Sequence, residues 1–377
     1  MGKRSAGAVV LLLLLSFGAW SEDGHWPVPG YFLDLPVGWT TVDGSDPCGR
    51  AFSNSTRTAV LRVSAYPSEA FDGAREMYQE YLTELDGQGE GVPFLYRGRD
   101  AFFADIRFAT SRFDARGYLL LLEEESRDFA LLAFTPVASY ADSHDQLISA
   151  LDSFAPDRDA RGLPGPVSHF HYPYPSARTS PLTLSADGAG VRLSVDLEEL
   201  ESLVFLIERE ARILAGCGGD FGAAWGRYYR TVYRDNSARL AELAAGLRRA
   251  WGLDPDRPRP WVERLLRWIQ GFEYVRSGTF SDLTPPALAA FAQAGDCDSR
   301  ALLFVILLEH VGIDAVLLVS SRYAHSAAGV DLPGEDGARM RHLGKDYLFA
   351  EVTDQVGIGM VARDMADPSG WVVIDLP

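Results

Sequence analysis

Residues 295–312 restrict the possible folds of this chain more than any other stretch. Gly295-Asp296-Cys297-Asp298-Ser299-Arg300 runs into the apolar block Ala301–Leu308, and Gly312 follows His310-Val311. Asp296 is a good N-cap and Gly312 a stop signal, so the spacing predicts a helix whose body must be buried. Cys297 falls on its first turn. The unpaired amides and positive dipole end of such a turn favour a thiolate, while Asp296 and Asp298 oppose it. A cysteine that only fills space at a helix start is the plain alternative, and the downstream sequence bears on the choice.

After this helix come the β-branched run Ile313–Ser320, the small-residue segment Ala324-His325-Ser326-Ala327-Ala328-Gly329-Val330, a Gly/Pro/Asp-rich loop, and the strand Asp346–Thr353. A helix followed by antiparallel strands is the order of a papain-like core. A thiol nucleophile needs a base within hydrogen-bond reach and a third group to orient that base. Cys297, His325 and Glu351 supply all three from successive elements. His310 is thirteen residues along the cysteine helix, about 20 Å away at 1.5 Å per residue, and is excluded as the base. His342 sits in a turn beside Arg341 and Lys345, where an exposed loop histidine is the plain reading. Small residues after His325 leave room for a helix end or a substrate chain. Asp354 and Asp375 are the alternatives for the third group; Glu351 is preferred because it comes from the strand after the histidine strand.

Trp261–Thr353 resembles the transglutaminase-like cysteine protease superfamily. The residues that carry the likeness are Gly295-Asp296-Cys297 at a helix start, His325 opening a strand, and Glu351-Val352-Thr353 at the end of the next strand. The upstream Trp268-Ile269-Gln270-Gly271-Phe272-Glu273-Tyr274 is similar to the helix-to-tyrosine approach of bacterial members. The chain departs from the family in having Glu351 where Asp, followed by Pro-Thr, is usual. The resemblance implies an α+β fold with a papain/transglutaminase-like core, and a thiol hydrolase acting on an amide, with a polypeptide as substrate. If an amine replaces water, the same site performs transglutamination. The backbone amide of Cys297 is the expected first oxyanion donor, with Trp261, Gln270 or Gln293 as second. A catalytically inactive scaffold or binding protein of the cell envelope is the alternative, motivated by Glu351 and by the segment that precedes this core.

Met1-Gly2-Lys3-Arg4, the apolar stretch Ala6–Ala19 and the polar Ser21-Glu22-Asp23-Gly24 have the layout of a secretory signal at residues 1–21, so an exported chain, periplasmic or extracellular, is expected. No later segment is long and apolar enough for a membrane span. Loss of Lys3 and Arg4 takes the formal charge from −17 to −19, which excludes nucleic acid as a natural partner. Residues 22–157 read as an α/β sandwich with an antiparallel sheet. The segments Tyr31–Trp39 and Leu151–Pro156 resemble the two ends of PsbP/Mog1-like domains, which implies a module that docks an envelope protein. Residues 158–181, with His169-Phe170-His171 at their centre, read as a linker, 182–255 as a β-segment and helices, and 256–377 as the transglutaminase-like domain. Of the three cysteines, Cys48 and Cys217 could pair and leave Cys297 free. There is no zinc spacing and no EF-hand loop, so no cofactor or metal is expected.

Overall fold

The computed structural model describes residues 30–42, 49–218, 221–254 and 256–376. The leader and Cys48 lie outside them. The fold is α+β with antiparallel sheets, divided into two compact units. One unit comprises the described residues up to Arg158 together with Gly165–His171; the other comprises Asp159–Pro164 and those from Tyr172 onward.

The first unit holds strands β1 (Thr40–Val42), β2 (Gly49–Ser53), β3 (Val60–Pro67), β4 (Gln88–Tyr96), β5 (Arg99–Ala109), β6 (Asp114–Leu122) and β7 (Arg127–Pro136). Its helices are α1 (Ala74–Leu85), α2 (Tyr140–Asp152) and α3 (Pro166–His171). The sheet order is β1-β2-β3-β7-β6-β5-β4, antiparallel throughout. Both faces are covered, which explains why Leu119, Leu120, Leu121 and Leu122 are all buried instead of alternating with polar residues. Leu119 and Leu121 face Met77, Tyr81 and Leu85 of α1, while Leu120 and Leu122 share a core with Leu147, Leu151 and Phe154.

Within 158–181, the stretch expected as a linker, α3 is ordered. Pro166 suits a first helical turn, and the buried Asp152 accepts hydrogen bonds from Ser168 N (2.8 Å) and Ser168 Oγ (2.7 Å). His169 stacks edge-on against Tyr96 at 5.4 Å, an aromatic contact inside this unit.

The second unit opens with the hairpin β8 (Ser180–Ala186) and β9 (Ala189–Val195). Next come α4 (Leu197–Ser202), α5 (Val204–Ala215), the long α6 (Phe221–Trp251), α7 (Arg259–Gln270), β10 (Glu273–Tyr274), α8 (Pro286–Ala292), β11 (Ala294–Gly295) and α9 (Cys297–His310). The chain finishes with β12 (Ala315–Ser320), β13 (His325–Val330), β14 (Arg339–His342), β15 (Lys345–Ala350) and β16 (Val372–Ile374). The last five strands form one antiparallel sheet in the order β14-β15-β13-β12-β16. Ala301–Leu308 of α9 are completely buried. A helix apolar on all sides needs cover on all sides. The sheet supplies one wall through Leu317, Ala328, Val330 and Leu348, and Leu240, Leu265 and Ala287 of α6, α7 and α8 contribute to the same core. Leu184 and Val191 of the β8–β9 hairpin belong to it as well, so residues 182–255 and those that follow share a single interior.

Local differences from the sequence reading have local causes. The helical stretch within 182–255 breaks at Leu203, between α4 and α5, and α7 stops at Gln270, before Gly271. Helix α8 has no counterpart in that reading, because seven residues show too little periodicity to stand out. Strand β14 lies in the Gly/Pro/Asp-rich stretch, turned back by Leu343 (φ 45°) and Gly344 (φ 85°). Among the described residues no helix is long and apolar enough to cross a membrane.

Candidate active site

Cys297 is the first residue of α9. Asp296, in extended conformation, caps the helix by accepting Ser299 N at 2.9 Å and Ser299 Oγ at 2.6 Å. Burial, followed by the charge of Asp298, pushes the Asp296 carboxyl up to about 6 against those donations. The chain reaches the cysteine through the short parallel pairing of β10 with β11, Tyr274 opposite Gly295. Arg300, one turn into α9, donates Nε to Gly295 O (3.0 Å) and Nη2 to Phe272 O (2.7 Å), which fixes both approaches.

His325 opens β13 opposite Ser320, and the hairpin behind it closes with Ala324 in the left-handed region (φ 47°). Glu351 follows directly on β15, whose Ala350 pairs with Ala328 of β13. These placements give a continuous chain of contacts. His325 Nε2 lies 2.9 Å from Glu351 Oε2, and the Cys297 thiol is near enough to act on the titration of the ring. With Nε2 given to Glu351, Nδ1 is the ring nitrogen left for the sulfur. Glu351 Oε1 accepts Thr353 N (2.8 Å) and Thr353 Oγ1 (2.5 Å). Gln270 Nε2 holds the backbone of the same residue, donating to Glu351 O (2.8 Å) and Val356 O (3.0 Å). The Trp371 indole stands edge-on to the His325 ring at 6.2 Å.

Electrostatics follow from this geometry. Burial opposes the imidazolium of His325, but Cys297 and Glu351 together overcome it, and the ring is held up at about 10. Burial likewise opposes the Glu351 carboxylate, yet His325 and Thr353 draw it down to about 2. The raised histidine therefore contributes stability that is complete below its ordinary value near 6.5 and is lost as pH rises through about 10. The depressed glutamate contributes stability that is complete above about 4.5 and is lost as pH falls through about 2. An NMR titration of the His325 ring is expected to show its midpoint near 10, and Glu351→Gln to move it toward 6.5. A midpoint near 6.5 in the unaltered chain would contradict the hydrogen-bonded arrangement.

The other sequence candidates lie elsewhere. His310 ends α9 and meets Ser237 O at 2.7 Å. His342, at the end of β14, pairs with Asp375 at 2.7 Å, which engages the carboxylate considered as a third group with a different histidine. Asp354 lies in the turn after Glu351 and accepts Val356 N on its backbone oxygen at 2.8 Å. Of the three side chains expected as second oxyanion donors, the two glutamines are engaged elsewhere. Gln270 is bound to backbone, Gln293 Nε2 donates to Ser185 O (2.8 Å), and Trp261 is buried against Trp251 at 5.7 Å. Sequence reasoning missed Trp371 as the neighbour of His325. It also missed that Tyr274 lies close enough for the charge of Cys297, after burial, to hold its phenol up. Among the described residues Cys217 and Cys297 carry no disulfide to one another or to a third cysteine, and the Cys48 half of the expected disulfide lies outside those residues. Among the described residues no group of three or more His, Cys, Asp or Glu side chains could hold a metal ion.

No family model matches the chain, and no curated protein matches it. Solved structures similar to parts of it include the cyanobacterial PsbP (CyanoP) of Synechocystis sp. PCC 6803, at 17% identity, 34% coverage of this chain, 87% of that one and a TM-score of 0.29. A second is LpqN of Mycobacterium tuberculosis, described as involved in cell envelope biogenesis, at 15% identity, 34% and 84% coverage and a TM-score of 0.24. A third, from Bacteroides thetaiotaomicron VPI-5482, is 12% identical, with 55% of this chain and 75% of that one covered and a TM-score of 0.26. At such scores these likenesses say nothing of what this chain does.

Proposed function

We propose that the protein is an exported thiol hydrolase or acyltransferase of the transglutaminase-like kind, acting on the amide bonds of a polypeptide. The observation that carries the reading is His325 hydrogen-bonded to Glu351 on one side, with Cys297 near enough on the other to help hold the ring charged. In this scheme Cys297 Sγ attacks the carbonyl carbon and forms a thioester. The imidazolium of His325 gives its proton to the departing amine as the C–N bond breaks, and Glu351 keeps the ring oriented and its positive charge compensated. Water then attacks the thioester with His325 as base, releasing the acid and restoring the thiol–imidazole pair. An amine in place of water gives transglutamination. Export rests on the leader-like residues 1–21, and the N-terminal unit is read as a docking module for an envelope protein.

The test is hydrolysis of a mixed peptide library, followed by mass spectrometry, by the full chain and by Cys297→Ala, with labelling by a thiol alkylator across pH. Cleavage or amine incorporation lost in Cys297→Ala is the expected result. Equal behaviour of the two proteins on every substrate, with alkylation no faster than that of a free cysteine, would instead favour the inactive scaffold.

A further inference from the structure

Asp298 follows Cys297 on α9, and its carboxylate has two partners. Oδ1 accepts the Tyr229 hydroxyl of α6 at 2.7 Å and the Ser326 hydroxyl of β13. Tyr229 and Ser326 therefore meet at a single carboxylate oxygen. Ser326 is the residue after His325. One carboxylate thus ties the neighbour of the thiol to the neighbour of the imidazole, with α6 as backing.

The local chemistry suits a fixed brace. Asp296 already fills the N-cap position, which leaves Asp298 without a capping role. Tyr229 and Ser326 are buried, and burial followed by the charge of Asp298 keeps the Tyr229 phenol well above its ordinary range, so it remains a donor. A carboxylate accepting two hydroxyls makes charge-assisted hydrogen bonds, the stronger class. The cysteine and the histidine sit on a helix and a strand, which share no ladder of main-chain hydrogen bonds. Something must set the spacing between Sγ and the ring at their adjoining ends.

We infer that Asp298 is a positioning residue that sets the Cys297–His325 geometry through Ser326 and Tyr229. The inference rests on the acyl-transfer reading above for its kinetic test, though not for its spectroscopic one. Misplacement of reacting groups by about 1 Å can cost about 100-fold in rate.

The experiment compares the full chain with Asp298→Ala, Asp298→Asn and Ser326→Ala, using p-nitrophenyl acetate as acyl donor and the NMR titration of His325. Asp298→Ala is expected to lower the acylation rate constant about 100-fold while leaving the ester's KM nearly unchanged. It should also bring the His325 midpoint down. Asp298→Asn retains an oxygen that accepts the same two hydroxyls and should recover most of the rate and the raised midpoint. Should Asp298→Ala fail to fold, Ser326→Ala, which removes only one hydroxyl, carries the test, with a loss of roughly tenfold or more. Folded Asp298→Ala or Ser326→Ala with wild-type rate and midpoint would overturn the inference, as would an Asn variant as impaired as Ala. If the unaltered chain takes up no acyl group, the functional reading fails by itself and the His325 midpoints of the variants still decide the brace.

Discussion

Mixed with excess p-nitrophenyl acetate, the protein is expected to release a burst of p-nitrophenol equivalent to one per chain and to carry the acetyl group on Cys297. Intact-mass and peptide-mass spectrometry read this directly and need no knowledge of the natural substrate. Cys297→Ala should give no burst. His325→Ala should form the thioester slowly and fail to release it, because the same ring serves the attack and the later activation of water; general acid–base assistance contributes about 10²- to 10⁴-fold to each step. Glu351→Gln should fall between the two, since an amide can still receive the ring N–H on its oxygen but cannot balance the imidazolium charge. Its deficit should grow as pH falls below about 10, where the unaltered ring is charged. A burst of full size from Cys297→Ala would place the acyl group elsewhere and remove the basis for the proposed chemistry. Cys297 is only 6% exposed, so a small ester is the fitting probe.

The parts of this arrangement that could be read in the sequence are those fixed by short-range rules. Asp296 as N-cap, Cys297 on the first turn, His325 at a strand start and Glu351 at the end of the next strand follow from capping chemistry and apolar patterning over a few residues. The run Ala301–Leu308 announces its own burial, though not what covers it. Gln270 illustrates the limit. As a glutamine near the end of an amphipathic helix it reads as available to an oxyanion, yet its amide is spent on Glu351 O and Val356 O, more than eighty positions later. No periodicity reports such a contact. The pairing of β10 with β11 is similarly silent, because two residues each are too few to alternate. Trp371 is brought to His325 by long-range ties: Ser320 Oγ donates to Gly370 O at 2.6 Å, and Val372 pairs with Val319 of β12. In general, each reactive group is readable where it sits on its own element, and the residues that hold one element against another are not.

Arg300→Met is expected to be the most damaging single change outside the reacting groups. The side chain is 1% exposed, and burial pushes its guanidinium below the ordinary arginine range, although the charges of Tyr274, Asp296, Cys297 and Glu351 favour the cation. Replacing a buried charge by an apolar side chain of similar volume can be neutral when its partners are replaced as well. Here the partners are backbone carbonyls and remain. Gly295 O keeps a longer contact from Val275 N at 3.4 Å, while Phe272 O loses the 2.7 Å bond from Nη2. Hydrogen bonds from a charged donor contribute about 1.5–3 kcal/mol each, so the loss of two, partly offset by relief of the buried cation, should lower stability by about 3 kcal/mol. Urea unfolding would read this as a lower midpoint at an unchanged slope. The same two bonds join the end of α7 to the strand that delivers Cys297, and Arg300 also stands 5.5 Å from the Tyr274 ring. A chain that remains folded should therefore acylate more slowly even well below its unfolding midpoint. Stability within about 0.5 kcal/mol of the unaltered protein would mean that relief of the buried cation offsets both lost bonds.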